Sequence, residues 1–183
     1  YLGDIIPSGE THPQVIHEAM RYSVFAGGKR IRPILALATA QALEKPLEPM
    51  MPLAAALELT HTYSLIHDDL PALDDDDYRR GKPTLHRQFG QGVAILAGNG
   101  LLNLAFHQLA VLLETGSAEK NLRVIRLLSR AIGTLGGMIG GQVIDLLTQG
   151  KPYTAEDLQY IHASKTGALV HASVYCSAVL CDA

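Results

Sequence analysis

The chain has 183 residues, 48% hydrophobic and 18% charged, with a formal net charge of −3. That length and apolar share suit one globular domain with a sizeable core and exclude a disordered chain. The slight acidity excludes the basic surface that nucleic-acid binding requires.

In chain order, helical period dominates and strand-like alternation is scarce. Helices are expected from about Pro13 to Phe25, Pro33 to Leu43, Pro52 to Asp69, Val93 to Leu113, Asn121 to Gln149 and Ala155 to Leu180. Three open with proline in the first turn, where its missing N–H is harmless, and Thr154 with Asp157 approximates a capping box. The expected fold is all-α, a single domain over 1–183 whose helices surround a central cavity. No apolar run approaches the roughly 20 residues needed to span a bilayer, and YLGDIIPSG lacks a signal pattern, so a soluble protein is expected. Cys176 and Cys181 read as small core residues rather than a disulfide or metal pair, which fits a reducing, cytoplasmic setting. Tyr1 without an initiator Met and Ala183 in mid-pattern suggest part of a longer chain.

The densest chemistry lies in HDDLPALDDDDYRRGKPTLH, His67 to His86, with six aspartates within ten residues. Asp68 and Asp69 fall at the C-terminal end of an expected helix that Pro71 terminates, where the macrodipole disfavours negative charge. Asp74 to Asp77 add repulsion, so a compensating cation is expected. An EF-hand register counted from Asp74 puts Tyr78, Arg79 and Leu85 at positions 5, 6 and 12, which fails for calcium. Zinc would want His or Cys ligands at close spacing, and His67 beside Asp68 is the only near candidate. Magnesium takes one or two carboxylates and completes its shell with water and phosphate. Arg79 and Arg80, directly behind, can grip the same phosphate.

A second phosphate site is expected at AGGKRIRP, Ala26 to Pro33. It is not a P-loop, which would need Gly at Ser23 and Ser or Thr at Arg30. Gly27 and Gly28 end one helix and Pro33 begins the next, so Lys29 and Arg32 project from a tight turn. His61, two helical turns before Asp68, shares its face. Gly133, Gly137 and Gly141 are four apart, which on one helix makes a smooth packing face. LAGNG at 96–100 is no dinucleotide fingerprint, and His107, His162 and His171 have no ligand spacing.

On GGKRIRP at 27–33, HTYSLIHDDLPALDDDDYRRGKPT at 61–84, GGQVIDL at 140–146 and HASKTGALV at 162–170, the chain resembles the trans-isoprenyl diphosphate synthases, above all the bacterial type of farnesyl diphosphate synthase. The resemblance implies a helical isoprenoid-synthase fold and a dimer of such subunits. It implies head-to-tail condensation of an allylic diphosphate with isopentenyl diphosphate, assisted by magnesium. Asp68 and Asp74 would bind the metal with Asp69 in support, and Arg79 would contact the allylic diphosphate. Lys29, Arg32, His61 and Arg80 would hold isopentenyl diphosphate; Lys165 and Thr166 would sit by the allylic substrate with Gln142 and Asp145 near them. Tyr63, five residues before Asp68 and beside Ser64, would floor the product cavity at C15. The family's second Asp-rich motif is absent after Lys165. Its absence implies an incomplete C-terminus or, as the alternative, a non-catalytic subunit that pairs with an active partner.

Overall fold

The computed structural model describes residues 1–183, apart from the side chains of 113–115. The fold is all-α, with a single two-stranded ribbon among the described residues. The helices are α1 (Leu2–Ile5), α2 (Gln14–Val24), α3 (Ile31–Ala42), α4 (Met51–Asp68), α5 (Leu85–Phe89), α6 (Gln91–Thr115), α7 (Ala118–Ile132), α8 (Met138–Thr148), α9 (Ala155–Ile161) and α10 (Ala168–Leu180). The ribbon pairs β1 (Tyr78–Arg79) with β2 (Lys82–Pro83), antiparallel. The chain divides into two compact units, 1–30 with 55–108, and 31–54 with 109–183.

In the first unit, α6 lays Ala94, Ala97, Leu101 and Ala105 fully buried along one stripe, at the three-and-four spacing of a core-facing helix. Small residues let α6 approach its neighbours closely. A side chain at Gly98 would strike the His67 ring of α4 at 2.3 Å, and one at Gly100 would meet Met20 Sδ of α2 at 3.2 Å. Tyr22 and Phe89 join α2 to α5 edge-on, with centroids 5.6 Å apart. The sequence leads one to expect no apolar run near 20 residues, yet Gln91–Leu112 of α6 is long and apolar enough to cross a bilayer. Interspersed glycines and amides disguise that run in the sequence.

In the second unit, α10 packs on α3 and α7. Ser177 Oγ donates to the Ala36 carbonyl at 2.7 Å, and Leu128, Val124, Leu169 and Cys176 are fully buried. Both cysteines are free and buried, as small core residues.

Two expected helices are broken. The stretch expected as Asn121–Gln149 is two helices, because α7 stops at the extended Gly133 and α8 starts from the extended Gly137. The chain reverses so tightly that a Cβ at Gly137 would lie 2.5 Å from the Arg130 carbonyl, and Gly136 has φ +66°. Gly133 and Gly137 therefore form a connection, not a helical packing face; Gly141 alone of the three lies within a helix. The stretch expected as Ala155–Leu180 is interrupted by a π-helical segment, His162–Gly167. Its start is as expected: the capping box forms, with Thr154 Oγ1 accepting from Asp157 N–H at 3.1 Å and Asp157 Oδ2 accepting from Thr154 N–H at 2.9 Å.

Candidate functional site

The acidic stretch folds back on itself. Helix α4 ends at Asp68, and beyond the turn the Asp74 N–H donates to the Asp68 carbonyl at 2.9 Å. Two acidic positions six residues apart are thereby brought together. Asp69, next to Asp68, is only 3% exposed. Its two oxygens accept from Arg79 Nε at 2.6 and 2.8 Å, and Arg79 Nη2 also pairs with it. Burial pushes the Asp69 carboxyl above the usual range; the Arg79 guanidinium opposes that shift, and Asp69 in turn raises Arg79. Asp76 adds a weaker contact to Arg79 at 3.5 Å, and Asp77 pairs with Arg87 at 2.5 Å. Arg79 and Arg87 thus offset part of its charge.

The ribbon explains why two adjacent arginines have different partners. Side chains alternate across a strand, and the two-residue loop Arg80–Gly81 has positive φ at both positions, +53° and +76°, the primed turn that suits a short hairpin. Arg79 on β1 meets Asp69, whereas Arg80 at the tip donates to the Gly27 carbonyl. The expectation that both grip one phosphate from adjacency alone overlooks this alternation. Both residues nevertheless line one pocket, with Asp69, Tyr22, Thr62 and Ile66.

Arg80 joins two motifs about fifty residues apart. Gly28, at φ +123°, lies so close to it that a Cβ there would sit 2.5 Å from the guanidinium carbon. Lys29 follows, exposed, in the same loop. Arg32 is not in that loop: α3 begins at Ile31, which places Arg32 in its first turn. Arg30, to which sequence reasoning gives no role, pairs with Glu58, 2% exposed. The signal was present in the sequence, since a lone acid in LAAALELT requires a cation once the helix is buried.

His61 is half-buried on α4, and its carbonyl accepts from Ser64 Oγ at 2.8 Å. Tyr63 is 9% exposed, packs edge-on against His67 at 5.0 Å, and has its hydroxyl pKa raised by burial. His67 Nε2 lies 3.2 Å from the Ile95 carbonyl of α6. That contact turns the ring toward α6 and leaves it a packing role.

In the second unit, α8 carries Gln142 and Asp145, and the π segment carries Lys165 and Thr166. Lys165 Nζ donates to Asp145 Oδ2 at 2.6 Å. Gln142 Nε2 is buried with no hydrogen-bond partner among the described residues, and Thr166 is exposed.

Among the described residues no three His, Cys, Asp or Glu converge as a ready cage. Asp68 and Asp74 offer hard oxygen donors joined through the backbone. That donor set fits magnesium, which takes one or two carboxylates and leaves the rest of its shell to water and phosphate.

The sequence profile described as Polyprenyl synthetase matches residues 13–183. The chain is 48% identical to the geranylgeranyl diphosphate synthase of Cyanophora paradoxa over 183 residues, all of this chain and 60% of that one. It is likewise 48% identical to the farnesyl diphosphate synthase of Geobacillus stearothermophilus over 169 residues, 92% of this chain and 57% of that one. The chain therefore spans a little over half the length of these curated relatives. An apo FPP/GFPP synthase from Zymomonas mobilis superposes with a TM-score of 0.93 at 37% identity, covering 99% of this chain and 66% of that one. A geranyltransferase from Legionella pneumophila gives 0.90 at 41%, covering 98% and 62%. A profile match over all but the first twelve residues, on an all-α fold shared with these synthases, means that the chain belongs to the polyprenyl synthetase family.

Proposed function

We propose that this chain is the N-terminal and central part of a trans-prenyltransferase domain that joins an allylic diphosphate to isopentenyl diphosphate head to tail. The observation that carries the reading is the folding of Asp74 onto Asp68 beside an Asp69–Arg79 pair, in a chain of this family. Asp68 and Asp74 would hold magnesium, which when bound would neutralise charge on the leaving diphosphate. Asp69 supports them by fixing Arg79, whose guanidinium contacts the allylic diphosphate. Lys29, Arg32, His61 and Arg80 bind the diphosphate of isopentenyl diphosphate, and Lys165, Thr166, Gln142 and Asp145 attend the allylic substrate.

The allylic C–O bond breaks with its electron pair leaving on pyrophosphate. The isopentenyl double bond supplies the pair for the new C–C bond, and a proton lost from the adjacent carbon goes to pyrophosphate. Fixed cations stabilise charge as it develops on the leaving group, while apolar helices exclude the water that would capture the carbocation. Tyr63 limits the product to C15; the relatives carry both farnesyl and geranylgeranyl names. The working enzyme is a soluble, cytoplasmic homodimer, a setting in keeping with two free cysteines.

The test is a prenyl-transfer assay with labelled isopentenyl diphosphate, dimethylallyl or geranyl diphosphate and magnesium, reading product length with and without chelator. A magnesium-dependent C15 product is expected. A longer product retains the transferase and removes the Tyr63 floor, whereas no product from the full-length protein that carries this part of the domain overturns the reading.

A further inference from the structure

We infer that Gly141 and Asp145 are positioning residues that fix Lys165 for the allylic diphosphate, an inference that rests on the prenyl-transfer reading above. The two lie four apart on α8, hence on one face, and they meet Lys165 at opposite ends. A Cβ at Gly141 would lie 2.3 Å from the Lys165 backbone nitrogen, 2.8 Å from its Cα and 2.9 Å from its Cβ. These atoms belong to the backbone and the root of the side chain, so no rotamer change can clear them. At the far end, Asp145 Oδ2 holds Lys165 Nζ at 2.6 Å.

Helix α8 has no room to retreat in response to a methyl at 141. Its next glycine, Gly140, is hemmed in by the Thr134 carbonyl, 2.1 Å from where a Cβ would stand, and by the Tyr160 hydroxyl at 3.0 Å. The π segment must move instead. Lys165 sits within it, at His162–Gly167, where one extra residue per turn sets the backbone apart from the regular helices on either side. A lysine stem loses much rotamer freedom when ordered. Held at root and tip, Lys165 loses that freedom on folding and not on substrate binding, so an arriving phosphate meets an ammonium already in place.

The experiment compares Gly141→Ala, Asp145→Asn, Lys165→Met and the double variant Gly141→Ala/Lys165→Met, by crystallography and steady-state kinetics. In the Gly141→Ala crystal the Lys165 ammonium should part from Asp145 to beyond about 4 Å. The KM for the allylic diphosphate should rise about tenfold while that for isopentenyl diphosphate stays within about twofold. Adding Gly141→Ala to Lys165→Met should change kcat/KM by less than about twofold, because two residues acting through one contact are not additive. An intact Lys165–Asp145 pair in the Gly141→Ala crystal, or additive losses in the double variant, overturns the inference. Should Gly141→Ala fail to fold, Asp145→Asn alone and with Lys165→Met gives the same non-additivity readout. Absence of transfer by the unsubstituted protein would defeat the transferase reading, while the crystal comparison would still decide whether Gly141 places Lys165.

Discussion

At Gly28 two requirements coincide, a left-handed φ of +123° and the guanidinium of Arg80 where a Cβ would stand. Gly28→Ala should destabilise by about 1–3 kcal/mol from backbone strain and, by displacing Arg80, raise the KM for isopentenyl diphosphate more than that for the allylic substrate; denaturant titration and kinetics check both. Asp69→Ala leaves Arg79 without its buried partner, for which a loss of about 3 kcal/mol is expected, toward the lower end for broken buried pairs because Arg79 is partly exposed. Burial pushes the Cys176 thiol up to about 12. Since the unfolded value lies near 8.5, the stability tied to the neutral thiol is full below that pH and is lost as pH rises toward 12. Neither cysteine should react with a thiol reagent in the native protein near neutral pH, and both should on unfolding in guanidinium. Fast native labelling would contradict their burial. The acid and the two arginines were legible as residue types, but which of two neighbouring arginines meets Asp69 depends on the ribbon, whose four residues carry no strand signal.

Among the elements, α9 was the most legible, because a capping box is written in two residues three apart. Thr154→Ala should cost about 1 kcal/mol and speed amide exchange over the first turn of α9. Hydrogen bonds from Thr154 hold the Asp157 carboxyl below the usual carboxylate range. The contribution of the box is therefore full above that range and is lost as pH falls through the lowered folded value. Exchange protection of α9 should drop in acid for the parent chain and show no such acid step in Asp157→Asn. Periodicity also found α2, α3, α4 and α6 to within two residues at every end. It ran through Gly133–Gly137 and His162–Gly167 unbroken, because apolar spacing continues across both. What breaks the first is a close approach of the chain to itself, and the second coincides with the contact that α8 makes through Gly141; neither is a property of local propensity.

At the scale of the whole molecule, the expected all-α class and family membership stand. Tyr63→Ala should lengthen the product if that ring floors the cavity; an unchanged C15 product by chromatography of the extract would remove Tyr63 from the role. Helical class was readable from the chain, because apolar period is a property of neighbours along it, and so were the residue types on offer, oxygen donors beside arginines and lysines. Folding brings Asp74 back to Asp68, lays Arg80 on Gly28, pairs Arg30 with Glu58 and holds Lys165 against α8. Each of these depends on how far apart two segments stand after the core has closed, a distance fixed by packing and by where a Cβ will not fit, which no local pattern of residues encodes.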